Sequence, residues 1–394
     1  MNSTTRAFSE ALSMLVACGL LGLACAPAAP APPAAPAKPT EAAKPAAPAS
    51  PAAPSPAASP SPVASPAAKP AAFDERAVAD FYRGKTLRLV VGTGVGGLYD
   101  VTTRLVARYI GKYVPGSPTV IVENRTGAGG LIAYNAIYNT EPKDGTAILS
   151  APPLILLAVM GADGVAFDPA KMVWLGSADK SFSACIVRSD LGIKTIEDLT
   201  SGKQIVLGTL GPGNSTHDIP NTLNATIGTN FKLVSGYETL SKVRLLIQSG
   251  EVDGYCPVFV AAASLDRNIL EGESPFARIV VHTSNKPEDH PFLKGVPFAE
   301  GAAKTEEGKV VIRAVDAQQK MNLPYSVAPA VPPERVAALQ KALADTLADP
   351  QLRADAEQAN LSINPNTGDE VKQIVDQLTG LSPEVVAKLK AILQ

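Results

Sequence analysis

From Lys85 onward, short apolar runs alternate with stretches in which apolar residues return every three or four positions. The runs at 87–91, 120–123, 147–149, 184–187, 205–208, 231–234, 252–255, 278–282 and 324–328 predict strands. The segments 100–113, 127–139, 215–227 and 239–248 predict helices, and 193–199 reads as a short approach and helix start. In 100–113 the apolar stripe is Val101, Leu105 and Tyr109. In 332–348 it is Val336, Leu339, Leu343 and Leu347, with two more helical segments to the end. Strands that alternate with helices in this way predict an α/β fold on parallel sheets. No internal repeat is visible.

Two glycine-rich turns interrupt this pattern, each between a predicted strand and a predicted helix. The first is Thr93-Gly94-Val95-Gly96-Gly97-Leu98-Tyr99-Asp100. The second is Gly208-Thr209-Leu210-Gly211-Pro212-Gly213-Asn214-Ser215-Thr216. A turn of this kind aims backbone N–H groups and the positive end of a helix at whatever lies above it. Two of them in one chain predict an anion held between two α/β lobes.

The N-terminal segment changes the setting. Arg6 precedes an apolar stretch that ends in Leu23-Ala24-Cys25, which looks like the close of a bacterial lipoprotein signal with Cys25 as the lipidated residue. Cys18, after Leu15-Val16-Ala17, fits the aliphatic pattern better but leaves a shorter apolar segment. Plain cleavage without lipid is the bland alternative. Residues 26–73 are almost wholly Ala, Pro and Ser and cannot bury a core. As polyproline II they would reach on the order of 100 Å as a tether. The reading is therefore signal 1–25, tether 26–73, then a soluble body.

Composition narrows the function. Lys plus Arg number 35 and Asp plus Glu 37, so no basic excess suggests nucleic acid. The three histidines are scattered, and no Cys-x-x-Cys or His/Cys cluster suggests a metal. Beyond the signal two cysteines remain, Cys185 and Cys256; two separate buried thiols are the default expectation, with a pair left open. No Gly-x-Ser-x-Gly elbow or clear carboxylate pair suggests an enzyme.

Five pieces of 84–360 together resemble the substrate-binding receptors of tripartite tricarboxylate transporters, the Bug family. They are Gly96-Gly97-x-x-Asp100 with Arg104; the stretch Val122-Glu123-Asn124-Arg125-Thr126-Gly127-Ala128-Gly129-Gly130; Pro142-Lys143-Asp144-Gly145-Thr146; the loop from Gly211 to His217; and Gly250-Glu251-Val252-Asp253-Gly254. The order and spacing of all five carry the resemblance. It implies a type II periplasmic binding fold with lobe 1 from 84–185 plus 310–394 and lobe 2 from 186–309. It also implies a small carboxylate in the cleft and handover to membrane permease subunits; separately, no cofactor and a monomer are expected. Gly94-Val95 and Leu98-Tyr99 depart from the family pattern where ligand would sit.

The candidate ligand-binding residues are Thr93, Gly96, Gly97, Leu98, Tyr99 and Asp100 from the first turn, and Gly211, Gly213, Asn214, Ser215 and Thr216 from the second. Ser150 and Tyr237, at the ends of strands, complete the set. Each has a plainer reading: Asp100 as a helix cap, Asn214 to Thr216 as capping residues, His217 as structural, and Gly127–Gly130 as a close-packing turn. Two rivals stand. One is a tethered sensor that serves a signalling partner. The other is an oxidoreductase, because Gly92-Thr93-Gly94-Val95-Gly96-Gly97 satisfies the dinucleotide fingerprint and Glu123 falls near its acidic position.

Overall fold

The computed structural model describes residues 73–237 and 239–394. Cys18, Cys25 and the tether through residue 72 lie outside the described residues. Eleven strands are β1 Thr86–Val91, β2 Thr119–Asn124, β3 Ala147–Ser150, β4 Val173–Ser177, β5 Ala184–Arg188, β6 Ile205–Thr209, β7 Phe231–Ser235, β8 Gly254–Tyr255, β9 Ala277–His282, β10 Pro324–Val327 and β11 Asn366–Thr367. They form two sheets, ordered β11-β4-β10-β3-β1-β2 and β7-β6-β8-β5-β9. Among the described residues no helix is long and apolar enough to cross a membrane.

The expectation of parallel sheets holds only in part. β1 runs parallel to β2 and β3, and β6 runs parallel to β7 and β8. β10 is antiparallel to β3 and β4, and β5 is antiparallel to β8 and β9. The chain leaves the first sheet after β4 and returns at β10, so the returning strand enters with the opposite sense. Alternating hydropathy does not carry strand direction, which is why the sequence pattern missed this. It also missed β4 and the two-residue β11. Three helices, Pro350–Gln358, Gly368–Thr379 and Pro383–Leu393, stand where two segments were expected. The boundaries expected at 185/186 and 309/310 cut through β5 and through the helix Glu306–Ala317, which packs on Ser215–Thr226.

Burial explains the local choices. In β1, Leu87, Leu89, Val90 and Val91 are all fully buried, as a central strand covered on both faces requires. Helix Leu98–Ile110 buries Leu98, Thr102, Leu105, Val106 and Ile110, so its inward stripe lies one residue round from the expected Val101, Leu105 and Tyr109. Each fully buried Leu or Ile of this kind is worth on the order of 2 kcal/mol in area removed from water.

Cys185 and Cys256 form a disulfide, against the expectation of separate thiols. The antiparallel register pairs Ile186 with Tyr255, which sets the two cysteines opposite each other with their Cα atoms 4.0 Å apart. That register is a tertiary fact with no trace in the cysteine spacing.

Two crossings join the sheets, residues 178–183 and residues 318–323, and they bond each other. Ala178 N–H donates to the Leu323 carbonyl at 3.0 Å, and Ser181 N–H to the Gln319 carbonyl at 3.3 Å. Asp179, buried between them, accepts from Asn322 Nδ2 at 3.3 Å and from Ser362 Oγ at 2.9 Å. Burial pushes its carboxyl up to about 7 despite those hydrogen bonds. Nearby, Thr283 ties Ser183 to the buried Asp316 through its hydroxyl, and burial pushes Asp316 up to about 7 as well.

Two outcomes are expected. Replacing both Cys185 and Cys256 by Ala opens a loop of sequence separation 71 and should lower unfolding free energy by about 2–4 kcal/mol in denaturant titration. An unchanged midpoint would mean that the bond does not constrain the unfolded chain. The second concerns pH. An unfolded Asp titrates near 3.9, so between about pH 4 and the folded value of about 7 the native state holds protons that the unfolded state has lost. Asp179 and Asp316 therefore make stability fall as pH rises through that window, with no further loss above it. The double variant Asp179→Asn/Asp316→Asn should flatten this slope in urea titrations run from pH 4 to 8; parallel curves for the two proteins would refute it.

Candidate functional site

The first turn is held by a closed set of three side chains. Asn124, the last residue of β2, donates from Nδ2 to the Thr93 carbonyl at 3.0 Å and to Asp100 Oδ1 at 2.9 Å. Asp100 Oδ2 accepts the Gly96 N–H at 2.8 Å. Arg104 donates from Nε to Asp100 Oδ1 at 2.9 Å and from Nη2 to Asn124 Oδ1 at 2.7 Å. Burial opposes ionisation of Asp100, but the bonds from Arg104, Gly96 and Asn124 outweigh it and hold the carboxyl below its ordinary range. Asp100 is 1% exposed and faces the turn from inside. The helix that follows has Gly97 as its N-cap and no side-chain cap. The N–H groups of its first turn therefore point into the space ahead of it.

The second turn repeats the device with other residues. Thr216 Oγ1 accepts the Leu210 N–H at 3.1 Å and lies 3.2 Å from Thr209 Oγ1, which accepts the Gly211 N–H at 3.0 Å. Asp218, 1% exposed, accepts the Gly213 N–H at 3.1 Å and lies 2.9 Å from His217 Nδ1. Burial raises its carboxyl against the pull of His217 and the Gly213 N–H. Helix Ser215–Thr226 starts at Asn214, whose side chain makes no capping bond. Gly213 sits at φ +85°, where a Cβ would also fall 2.8 Å from Leu154 Cδ2. Both the backbone conformation and the close approach require glycine.

The two uncapped helix ends face one cleft. Among the candidates, Thr93, Gly97, Leu98, Tyr99, Gly213, Asn214, Ser215 and Thr216 line it. Gly96 and Gly211 instead shape the turns behind it, and Asp100 braces the first. Ser150 is buried in the sheet, paired in register with Val91 and Tyr325. Tyr237 packs near Gly208 and does not line the cleft. Gly129, in the Gly-Ala-Gly-Gly turn, lies against the Asn214 amide: a Cβ there would fall 2.4 Å from Nδ2. Tyr99 donates its hydroxyl to Asn322 at 3.1 Å and so ties the cleft wall to the crossings. Burial raises that phenol well above its ordinary range.

Two residues that line the cleft each carry a polar atom buried without a partner among the described residues, Thr93 Oγ1 and Asn214 Nδ2. Asn214 is only 6% exposed. A buried amide donor left unpaired is costly, by about 1–3 kcal/mol, and points to a group that accepts from it. None of the described lining residues is charged.

The loop after Ser150, which the sequence offers as a further lining segment, brings Pro152 and Pro153 to the cleft, and five lining residues lie outside every segment expected to line it: Thr239, Leu240, Val258, Ala261 and Gln319. Thr239 and Leu240 open a helix that carries no glycine-rich turn, and Val258 and Ala261 read as ordinary apolar residues. Only the crossing of the chain between sheets brings Gln319 to the cleft. The dinucleotide reading loses its acidic partner. Glu123 is paired with Arg88 Nη1 at 3.1 Å and Arg125 Nη2 at 2.7 Å.

Comparison with known proteins agrees with this geometry. No family model matches the chain. A UPF0065 protein from the gbd 5′ region of Cupriavidus necator is 28% identical over 272 residues, 64% of this chain and 80% of its own length. A UPF0065 protein of Bordetella bronchiseptica is 25% identical over 159 residues, 39% of this chain and 47% of its own length. In fold the chain is similar to the periplasmic binding protein BugD, with a TM-score of 0.61 at 20% identity over 79% of this chain and 98% of BugD. It is similar to a TctC solute-binding protein from Polaromonas, with a TM-score of 0.53 at 17% identity over 79% and 98%. It is also similar to MatC from Rhodopseudomonas palustris with bound malate, with a TM-score of 0.58 at 16% identity over 79% and 99%. The two-sheet α/β architecture is thus that of periplasmic binding proteins, and by sequence and fold together the chain resembles the solute-binding receptors of the Bug family, as its five motifs indicate.

Proposed function

We propose that this protein is an extracytoplasmic receptor that captures a small carboxylate between two lobes and delivers it to membrane permease subunits, not an enzyme. The lobes are built on the two sheets, and the crossings 178–183 and 318–323 serve as the hinge. The observation that carries the reading is the pairing of two uncapped helix ends with the buried, unpartnered Asn214 Nδ2 at one cleft. Each helix end is equivalent to about half a positive charge, so the pair favours an anion without any cationic side chain. Ligand that touches both turns favours the closed state, because it gains contacts that the open state lacks. Malate in MatC and adipate in a second Rhodopseudomonas palustris protein of similar fold, with a TM-score of 0.60, support a carboxylate. A lipid on Cys25 and the tether of 26–73 would keep the receptor near its permease.

Thermal-shift and calorimetric titration of the full chain against small carboxylates tests this, since ligand at 100 times its Kd adds about 2.7 kcal/mol of stability. Asn214→Ala should weaken the carboxylate about 10- to 100-fold, the worth of one hydrogen bond to a charged group. It should scarcely change unfolding, because Nδ2 bonds nothing among the described residues. Wild-type affinity in Asn214→Ala would sink the cleft assignment. Gly213→Val should both destabilise the fold and abolish binding, through strain at φ +85° and collision with Leu154.

A further inference from the structure

We infer that the cleft selects monocarboxylates with an apolar body over dicarboxylates of the same chain length. This rests on the carboxylate-receptor reading and names the class of ligand for that same cleft. The argument begins with charge. The two helix ends together supply the equivalent of about one positive charge, enough for one carboxylate. No described lining residue adds a second. Two buried carboxyls, Asp100 and Asp218, lie in the first turn of those same helices and bring negative charge of their own.

The donors lead to the same conclusion. Thr93 Oγ1 and Asn214 Nδ2 are unpartnered, and both belong to the helix-end turns. Ser215 Oγ, also in a helix-end turn, makes no hydrogen bond among the described residues, and the remaining wall hydroxyls are each engaged as donor or acceptor. Tyr99 is committed to Asn322, Thr216 Oγ1 accepts from Leu210 N–H, and Thr239 Oγ1 accepts from Lys242 N–H. Gln319 brings a neutral amide that suits a hydroxyl or keto oxygen. The rest of the lining is apolar, with Pro152, Pro153, Leu210, Leu240, Val258 and Ala261. An aliphatic or aromatic body gains from burial against this wall. A second carboxylate there gives up its hydration with no countercharge in return.

The test pairs two ligands of equal length on the full chain, hexanoate and adipate, by isothermal titration calorimetry. Hexanoate is expected to bind at least tenfold tighter. Leu240, half-buried at the first position of its helix, can be changed to Lys, which places a cation on the apolar wall. Leu240→Lys should then bind adipate tighter than wild type does and narrow or reverse the preference, whereas Leu240→Met should keep it. Adipate binding as tightly as hexanoate in wild type, or tighter, overturns the inference and leaves the carboxylate receptor standing. If neither acid binds, and no other mono- or dicarboxylate in the panel does, both readings fall. A preference unmoved by Leu240→Lys also overturns it, because the wall would then not set the choice.

Discussion

A buried aspartate that bonds a glycine N–H holds each of the two turns in place. Asp100 takes the Gly96 N–H and Asp218 takes the Gly213 N–H. In both turns the carboxylate sits within the first turn of its own helix, where the helix end stabilises negative charge. The consequence is a division of labour among backbone donors. The N–H groups that shape each turn are satisfied from within, and those of the helix start are left for what enters the cleft. Asn124 and Arg104 extend the brace on the first turn, and the Thr209–Thr216 contact does the same for the second.

As the proposed anion site, this arrangement offers dipoles in place of a cation. A lysine or arginine in the cleft would hold its ligand more strongly but would also need a partner whenever the ligand left. Neutral dipoles fixed by the fold carry no such burden. Electrostatics in the body of the domain are handled separately, through ion pairs such as Arg88, Glu123, Arg125 and Glu141 on the sheet, away from the cleft. Tyr99 is the link between the two regions. One side of it lines the cleft, and its hydroxyl reaches Asn322 and through it the buried Asp179 at the crossings. Events at the cleft wall and the protonation of Asp179 thus share a chain of contacts.

The glycine turns were legible in the sequence because glycine spacing after an apolar run is a local signal with a local cause. The same holds for most strands and for the long helix Pro333–Ala348. What was not legible depends on distant pairing. The disulfide follows from the register of β5 on β8, and the antiparallel entry of β10 follows from the double crossing. The candidate site was read as the turns themselves, which captured the helix-end wall. The apolar lining residues Leu240, Val258 and Ala261 carry no mark that separates them from core. Asp100 shows what a motif alone leaves open: an acidic residue in a glycine turn suggests contact with a ligand, and the structure has it bonding the Gly96 N–H behind the cleft lining.

The sheets differ in how much of the chain each one needs. The five strands β5 to β9 are contiguous, within 184–282, so that sheet has all its parts once residue 282 has emerged from synthesis or from a membrane channel. The other sheet lacks its middle until much later. β10 lies between β4 and β3, so the six-stranded sheet stays in two pieces until residues 324–327 arrive, and its edge strand β11 waits for residue 367. The chain therefore completes one wall of its cleft well before the other, and a molecule cut short before residue 324 would keep a whole sheet and half a cleft.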